Sequence, residues 1–243
     1  MNAIADIPGT ADCCWTAMTP QTSYPALTNS TLTEVAIIGA GIVGLTTAYA
    51  LCRAGAVVTV IEALRVGRQV TGRSSAKITS QHSLIYRHLR DTFDLDAARA
   101  YADANRAGAR KIRTWISELG IACDLEEKDA YAYTCKESLL SDIETEVNIA
   151  RALGFKADVV APAPLPFDTA GALRFPGEAQ FNPAQYLVGL AAAIKRAGGF
   201  IFENTRDGST PRTLSWRPIY RSQAPAATTS GRGRADTLRW HFV

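Results

Sequence analysis

Metal-binding side chains are scarce in this chain and poorly placed for ligation. Three histidines and five cysteines occur in 243 residues, and none falls in a Cys-x-x-Cys or Cys/His ligand spacing, which leaves zinc and cluster binding without support. Cys13 and Cys14 are adjacent, Cys52 lies on the apolar face of the first predicted helix, and Cys123 and Cys135 flank a predicted hairpin. They read as structural or free thiols. A leader sequence is equally hard to find: Met1-Asn-Ala-Ile-Ala-Asp-Ile-Pro-Gly has neither a basic n-region nor an apolar h-region, so a cytoplasmic protein is expected. Lysine is missing from residues 207–243, which hold six arginines and two aspartates for a net of +4. Residues 1–206 carry 20 basic and 21 acidic side chains, so the overall +3 belongs to the tail. With 47% hydrophobic and 20% charged residues, the composition is that of a soluble globular chain of one or two domains.

What the chain does have is a strand, a glycine turn and a helix in close succession. Val35-Ala-Ile-Ile38 is short, apolar and largely β-branched, as a buried parallel strand should be, and Gly39, Gly41 and Gly44 follow at the dinucleotide spacing. Gly39 permits the tight turn, Gly41 lets the backbone approach a pyrophosphate, and Gly44 lets the helix pack closely. Ala40, Ile42 and Val43 complete the turn and the helix N-terminus, where main-chain amides and the helix dipole favour an anion. Ile42, Leu45, Ala48, Ala50, Leu51 and Cys52 form an apolar stripe, and Arg53 and Gly55 end the helix.

Ala56 to Ile61 is the second strand, and Glu62, followed by Ala63, stands about twenty residues past the glycines, where a carboxylate accepts hydrogen bonds from a ribose. A carboxylate there repels a 2′-phosphate, which disfavours NADP and leaves FAD and NAD. The uncharged run Val35 to Cys52 reaches the roughly 18 residues at which a membrane span is considered. Its three clustered glycines and its change of period argue for the nucleotide fold instead, with no transmembrane segment.

The rest of the chain divides into an N-terminal arm over residues 1–30, a nucleotide-binding part over 31–90, a helical and β part over 91–180, a return helix and strand over 181–206, and an irregular tail from 207. Trp15, Tyr24 and Leu27 are candidates to pin the arm to the domain surface. A polar loop, Arg65 to Lys77, leaves the second strand on the ligand side. Asp91 to Leu119 reads as one amphipathic helix, Ala122–Leu125 and Ala130–Cys135 as strands, and Ser138 to Leu153 as another helix. Ala172 to Phe175 adds β-structure, Asn182 and Pro183 open a helix as N-cap and first residue, and Phe200 to Asn204 is a strand. The order implies an α/β fold: a Rossmann-like βαβ domain interrupted by an inserted, incomplete α+β substrate domain.

Gly39 to Glu62, the loop Thr71-Gly-Arg-Ser-Ser-Ala-Lys-Ile-Thr-Ser-Gln-His82 and the later Ala179-Gln-Phe-Asn-Pro-Ala-Gln-Tyr-Leu187 together resemble the FAD-dependent oxidoreductases related to D-amino-acid oxidase and glycine oxidase, especially the branch with a C-terminal Rieske domain. The resemblance covers residues 12–206 and implies FAD as cofactor. It also implies oxidation of a carbon–nitrogen bond in a small-molecule amine or amino-acid-like substrate, by hydride transfer to flavin N5. Thr71, Gly72, Arg73, Ser74, Ser75 and Lys77 would approach the cofactor, with Arg73 or Lys77 offsetting charge on the reduced flavin. The branch usually has histidine where Arg73 and Asn182 stand here, so those imidazole roles do not transfer. The Cys-x-His and Cys-x-x-His pair of a Rieske centre is missing.

No catalytic residue is assigned. His82 and His88 lack a carboxylate or nucleophile partner in the pattern, and Tyr131, Tyr133, Gln180 and Tyr186 fit packing as well as a substrate cavity. Family resemblance stops at Arg206, and the arginine-rich composition beyond it reads as a truncated or frame-shifted end. The expected alternatives are therefore an FAD oxidoreductase or an inactive flavoprotein fragment. Gly231-Arg-Gly-Arg234 predicts at most salt-sensitive, nonspecific polyanion binding, and no specific nucleic-acid partner is expected.

Overall fold

The computed structural model describes residues 12–206 and 215–216. Expectations for residues 1–11 and for the rest of the basic tail lie outside the described residues. In chain order come α1 (Cys14–Ala17), β1 (Leu32–Thr33), β2 (Val35–Ile38), α2 (Ile42–Arg53) and β3 (Val58–Ile61). A 3₁₀ turn at Thr71–Arg73 leads to β4 (Lys77–Ile78), α3 (Ile85–Thr92), α4 (Leu95–Leu119) and β5 (Glu126–Thr134). A second 3₁₀ turn, Glu137–Leu139, precedes α5 (Leu140–Ala152), β6 (Asp158–Val160), β7 (Gly171–Gln180), α6 (Pro183–Arg196), β8 (Phe200–Phe202) and β9 (Ser215–Trp216).

Two compact units result, one formed by Gln21–Val66 with Leu190–Val243 and the other by Met1–Pro20 with Gly67–Gly189. The first holds a parallel sheet in the order β2-β3-β8, with Val35 opposite Val58, Ile38 opposite Ile61 and Ile61 opposite Phe202. β1 pairs in parallel with β9. Central β3 has every residue buried, Thr59 included, as expected of a parallel strand covered on both faces. Helix α2 buries Leu45, Ala48, Tyr49 and Cys52. Burial of a side chain the size of Leu45 contributes roughly 1.5–3 kcal/mol.

The second unit is an antiparallel sheet, β4-β7-β5, with β6 also on β7. Leu173 and Phe175 of β7 share a core with Tyr86, Ala98, Ala102, Ile143, Val147 and Leu153 from the helices. Arg174, between them in sequence, instead donates to Asp158 at 2.8 Å. Glu146 is completely buried, and its two carboxylate oxygens accept from the Tyr86 amide at 2.8 Å and the Arg87 amide at 2.7 Å, closing the N-terminus of α3. Burial pushes its carboxyl upward, and these two amides offset part of that shift.

Several local expectations need correction. The helix expected from Asp91 begins instead at Leu95, because Asp94 takes an extended conformation and caps α4 by accepting from the Ala97 amide at 2.7 Å, and a separate helix, α3, ends at Thr92. Ala122–Leu125 is not a strand: Asp124 has φ 51°, and the Cys123 carbonyl accepts the Asn182 amide at 2.7 Å. The hairpin expected between Cys123 and Cys135 is therefore absent, and β5 pairs with β7 instead. β7 runs to Gln180, well past Phe175, because three strands pair with it. The fold is α/β, a Rossmann-like βαβ with an inserted α+β unit. Among the described residues, no helix is long and apolar enough to cross a membrane.

Candidate functional site

The glycine turn is built as its spacing requires. Gly39 has φ 98°, a conformation that L side chains rarely adopt, and its amide donates to the Ile61 carbonyl at 2.8 Å, tying the turn to β3. A Cβ on Gly44 would lie 2.0 Å from the Gly39 carbonyl oxygen, so α2 approaches the turn at a distance only glycine allows. Gly41 is the N-cap of α2, with no side-chain cap and no acidic residue in the first turn. Val43, in that first turn, is 76% exposed. A helix that begins this way presents main-chain donors and a positive dipole end to an anion. Ala40 is fully buried beneath the turn, and Ile42 starts the helix.

Glu62 follows directly on β3 and is 6% exposed. Its carboxylate accepts from the Ala40 amide at 2.7 Å and from the Leu64 amide at 2.9 Å. One acid thus joins the glycine turn to the segment after β3, and Ala63 between these donors is exposed. A carboxylate offers about four acceptor positions, so two main-chain bonds leave capacity for a diol.

Glu203, just past β8, was not singled out by the sequence pattern and proves to be a second organising acid. It is fully buried. Its carboxylate accepts from the Thr22 hydroxyl, the Tyr24 amide at 2.9 Å and the Val66 amide at 2.8 Å. Thr205 adds a bond from the Leu27 amide at 2.9 Å and donates its own amide to the Glu62 carbonyl at 3.0 Å. The available signal was a charged residue ending the otherwise apolar Phe200-Ile-Phe run. Of the three arm anchors, Leu27 is buried and Tyr24 binds Glu203 through its backbone; burial, and then the Glu203 charge, push the Tyr24 phenol upward.

The polar loop belongs to the other unit. Thr71, Gly72 and Arg73 form the 3₁₀ turn, with Thr71 half-buried, Gly72 buried, and Arg73, Ser74, Ser75 and Lys77 exposed. Ala76 has φ 61°, and its carbonyl accepts the Phe181 amide at 3.2 Å. Trp15, the third arm anchor, donates its indole N–H to the Ser74 carbonyl at 3.1 Å. Asn182 accepts from the Ala184 and Gln185 amides, each at 3.1 Å, as the N-cap of α6.

His82 meets the Tyr101 hydroxyl at 3.0 Å, and burial followed by the Lys77 charge pushes its imidazole downward. His88 meets Thr92 at 3.4 Å. Among the described residues neither has a carboxylate partner. Tyr131 lies opposite Arg174 in the sheet, and Tyr133 packs on Phe167. Gln180 donates to Glu126 at 3.0 Å, and Tyr186 packs on Phe181. Among the described residues no group of three or more His, Cys, Asp or Glu side chains could hold a metal ion.

Comparison with known proteins bears on the same segments. The chain is 39% identical over 191 residues to YhfW of Bacillus subtilis, a protein named for a Rieske 2Fe-2S centre, covering 79% of this chain and 38% of that protein. It is 25% identical over 185 residues to gamma-glutamylputrescine oxidoreductase of Escherichia coli, covering 74% and 43%. The chain therefore spans about two-fifths of the length of these curated relatives. In fold it matches L-amino acid deaminase from Proteus myxofaciens, with a TM-score of 0.60 at 19% identity over 77% of this chain and 41% of that one. Glycine oxidase from Geobacillus kaustophilus gives 0.54 at 20% identity over 72% and 47%. The family described as FAD dependent oxidoreductase matches residues 34–211, the larger part of the chain, and the protein belongs to that family.

Proposed function

We propose that this chain holds FAD and forms the cofactor-binding part of an oxidoreductase acting on a small amine or amino acid. The observation that carries this reading is the Gly39–Gly44 turn, closed so tightly that a Cβ on Gly44 would meet main chain, and locked to Glu62 through the Ala40 amide. Residues 39–44 would receive the pyrophosphate, and Glu62 the adenosine ribose, with Ala63 beside it. Thr71, Gly72, Arg73, Ser74, Ser75 and Lys77 would supply loop contacts to the cofactor, with Arg73 or Lys77 balancing charge. Bound FAD would supply an acceptor for the hydride leaving the carbon that carries the substrate nitrogen. The relatives named for gamma-glutamylputrescine, glycine and L-amino acids support a small amine or amino-acid substrate. A cytoplasmic location accompanies this reading, supported by cysteines that are all free thiols.

Calorimetric titration with FAD, NAD and NADP, followed by anaerobic addition of amines and amino acids to the FAD-loaded chain, tests it. FAD should bind and NADP should not, because the 2′-phosphate would face the Glu62 carboxylate. Bleaching of the flavin by an amine or amino acid would establish the substrate class. Binding of FAD without bleaching by any of them would leave the cofactor assignment standing and overturn the activity.

A further inference from the structure

The segment before the glycine fold does more than lead into it. Residues 14–17 form α1, and Trp15, projecting from it, donates to the Ser74 carbonyl at 3.1 Å across a sequence separation of 59 residues. Arg68 reaches back from the far side of the loop, donating to the Thr16 carbonyl at 2.8 Å and the Thr19 carbonyl at 3.0 Å. Thr16 lies in the last turn of α1 and Thr19 two residues past its end, where intrahelical donors run out, so one guanidinium ties the end of α1 to the segment that follows it. Thr16 and Thr19 are buried, Thr19 donating to the Trp15 carbonyl at 2.6 Å. A Cβ on Gly72 would sit 1.8 Å from the Gly67 carbonyl oxygen and 3.1 Å from the Thr16 methyl group, so the 3₁₀ turn is folded onto α1 with no room between them. Within the loop and its approach the Arg73 amide bonds to Val70 at 3.1 Å, the Ser74 amide to Thr71 at 3.3 Å, and the Ala76 amide to the Ser74 hydroxyl at 3.2 Å.

We infer that Trp15 and Arg68 are positioning residues for the cofactor loop: the N-terminal arm sets the conformation of Thr71–Lys77, and FAD is held more weakly without it. Trp15 touches the loop backbone at Ser74, next to the exposed side chains that would face the ligand, and so acts through the loop. This inference rests on the FAD reading above. A loop ordered before binding loses less conformational freedom when the ligand arrives, so loosening it shows as weaker binding even where the global fold is intact.

The test measures FAD affinity by flavin fluorescence and amide hydrogen exchange over residues 71–76, in the full chain and in Trp15→Phe and Arg68→Lys. Phenylalanine keeps an aromatic ring and removes the indole N–H. Loss of one such hydrogen bond predicts about three- to tenfold weaker FAD binding and faster exchange in the loop. The apo melting midpoint should move by only about 2 °C. Arg68→Lys gives an independent check, because an ammonium group lacks the fork that spans two carbonyls. Unchanged affinity in both variants, or a loss that merely follows a collapsed melting midpoint, overturns the inference. Failure of the parent chain to bind FAD overturns the cofactor reading, whereas equal binding by parent and variants overturns this inference alone.

Discussion

The Gly39–Gly44 turn and the Thr71–Lys77 loop, both proposed above to meet the cofactor, are held in opposite ways. The turn is made of main chain, and its partners lie close in sequence: Gly39 bonds to Ile61, Ala40 to Glu62, and α2 grows directly out of it. The loop offers side chains to solvent and takes its shape from remote segments, Trp15 on one side and Phe181, whose amide binds the Ala76 carbonyl, on the other. Steric closure fixes the turn, so a single added carbon should destroy it. Several weaker tethers fix the loop, so single changes should loosen it by degrees.

Gly44→Ala should have the largest effect. Its Cβ would lie 2.0 Å from a carbonyl oxygen that cannot rotate away, and the cost should reach about 3 kcal/mol, the upper end of over-packing penalties. Bound FAD should be lost entirely on desalting, and a normal melt with retained flavin would show that the turn tolerates what its geometry forbids. Next comes Glu203→Ala, which strands the buried Val66 amide, the half-buried Tyr24 amide and the Thr22 hydroxyl. Urea unfolding should register a loss of about 2–3 kcal/mol, and a loss under about 1 kcal/mol would mean that water replaces the carboxylate.

Glu62→Gln sharpens the contrast, because it keeps the shape of the acid while removing its charge and one acceptor oxygen. FAD affinity should fall about tenfold, more than for any single substitution of an exposed loop cation. At the small end stands Lys77→Ala, whose exposed side chain should change affinity by no more than about threefold, in keeping with the modest value of exposed charge pairs. A larger effect for Lys77 than for Glu62 would reverse the comparison.

The unit carrying the loop also has a pH signature. Burial pushes the Glu178 carboxyl above its usual 4.5, against the opposing pull of the Ser80 amide and the Arg113 charge. A folded value above the unfolded one means that the contribution to stability is whole below 4.5 and is lost as pH rises through the raised value. Glu178→Gln should therefore gain on the parent chain as pH goes from about 4 to about 7, read from unfolding curves at each pH. A difference that stays flat or shrinks would show that this carboxyl is not driven by burial.

The same contrast explains how much could be read from the residues alone. The turn, α2, Glu62 and the Asn182–Pro183 start of α6 follow from local spacing and capping chemistry, so the structure places them where the pattern does. β7 reads short because its last residues, Glu178 to Gln180, are held by pairing with β4 and β5 rather than by any apolar alternation. The helix expected from Asp91 starts too early because the apolar period carries through Phe93, whereas the cap at Asp94 depends on a backbone conformation. Glu203 and the partner of Trp15 are not legible for a related reason: the bonds span 179 and 59 residues, and no periodicity records such a pairing.

The most direct measurement is the visible absorption spectrum of the parent chain and of Gly44→Ala, each incubated with FAD and desalted, with circular dichroism on the same samples. The account predicts flavin bands that co-elute with the parent chain and none with the variant. A folded parent chain that emerges colourless would contradict the claim that the Gly39–Gly44 turn and Glu62 hold the cofactor in this protein.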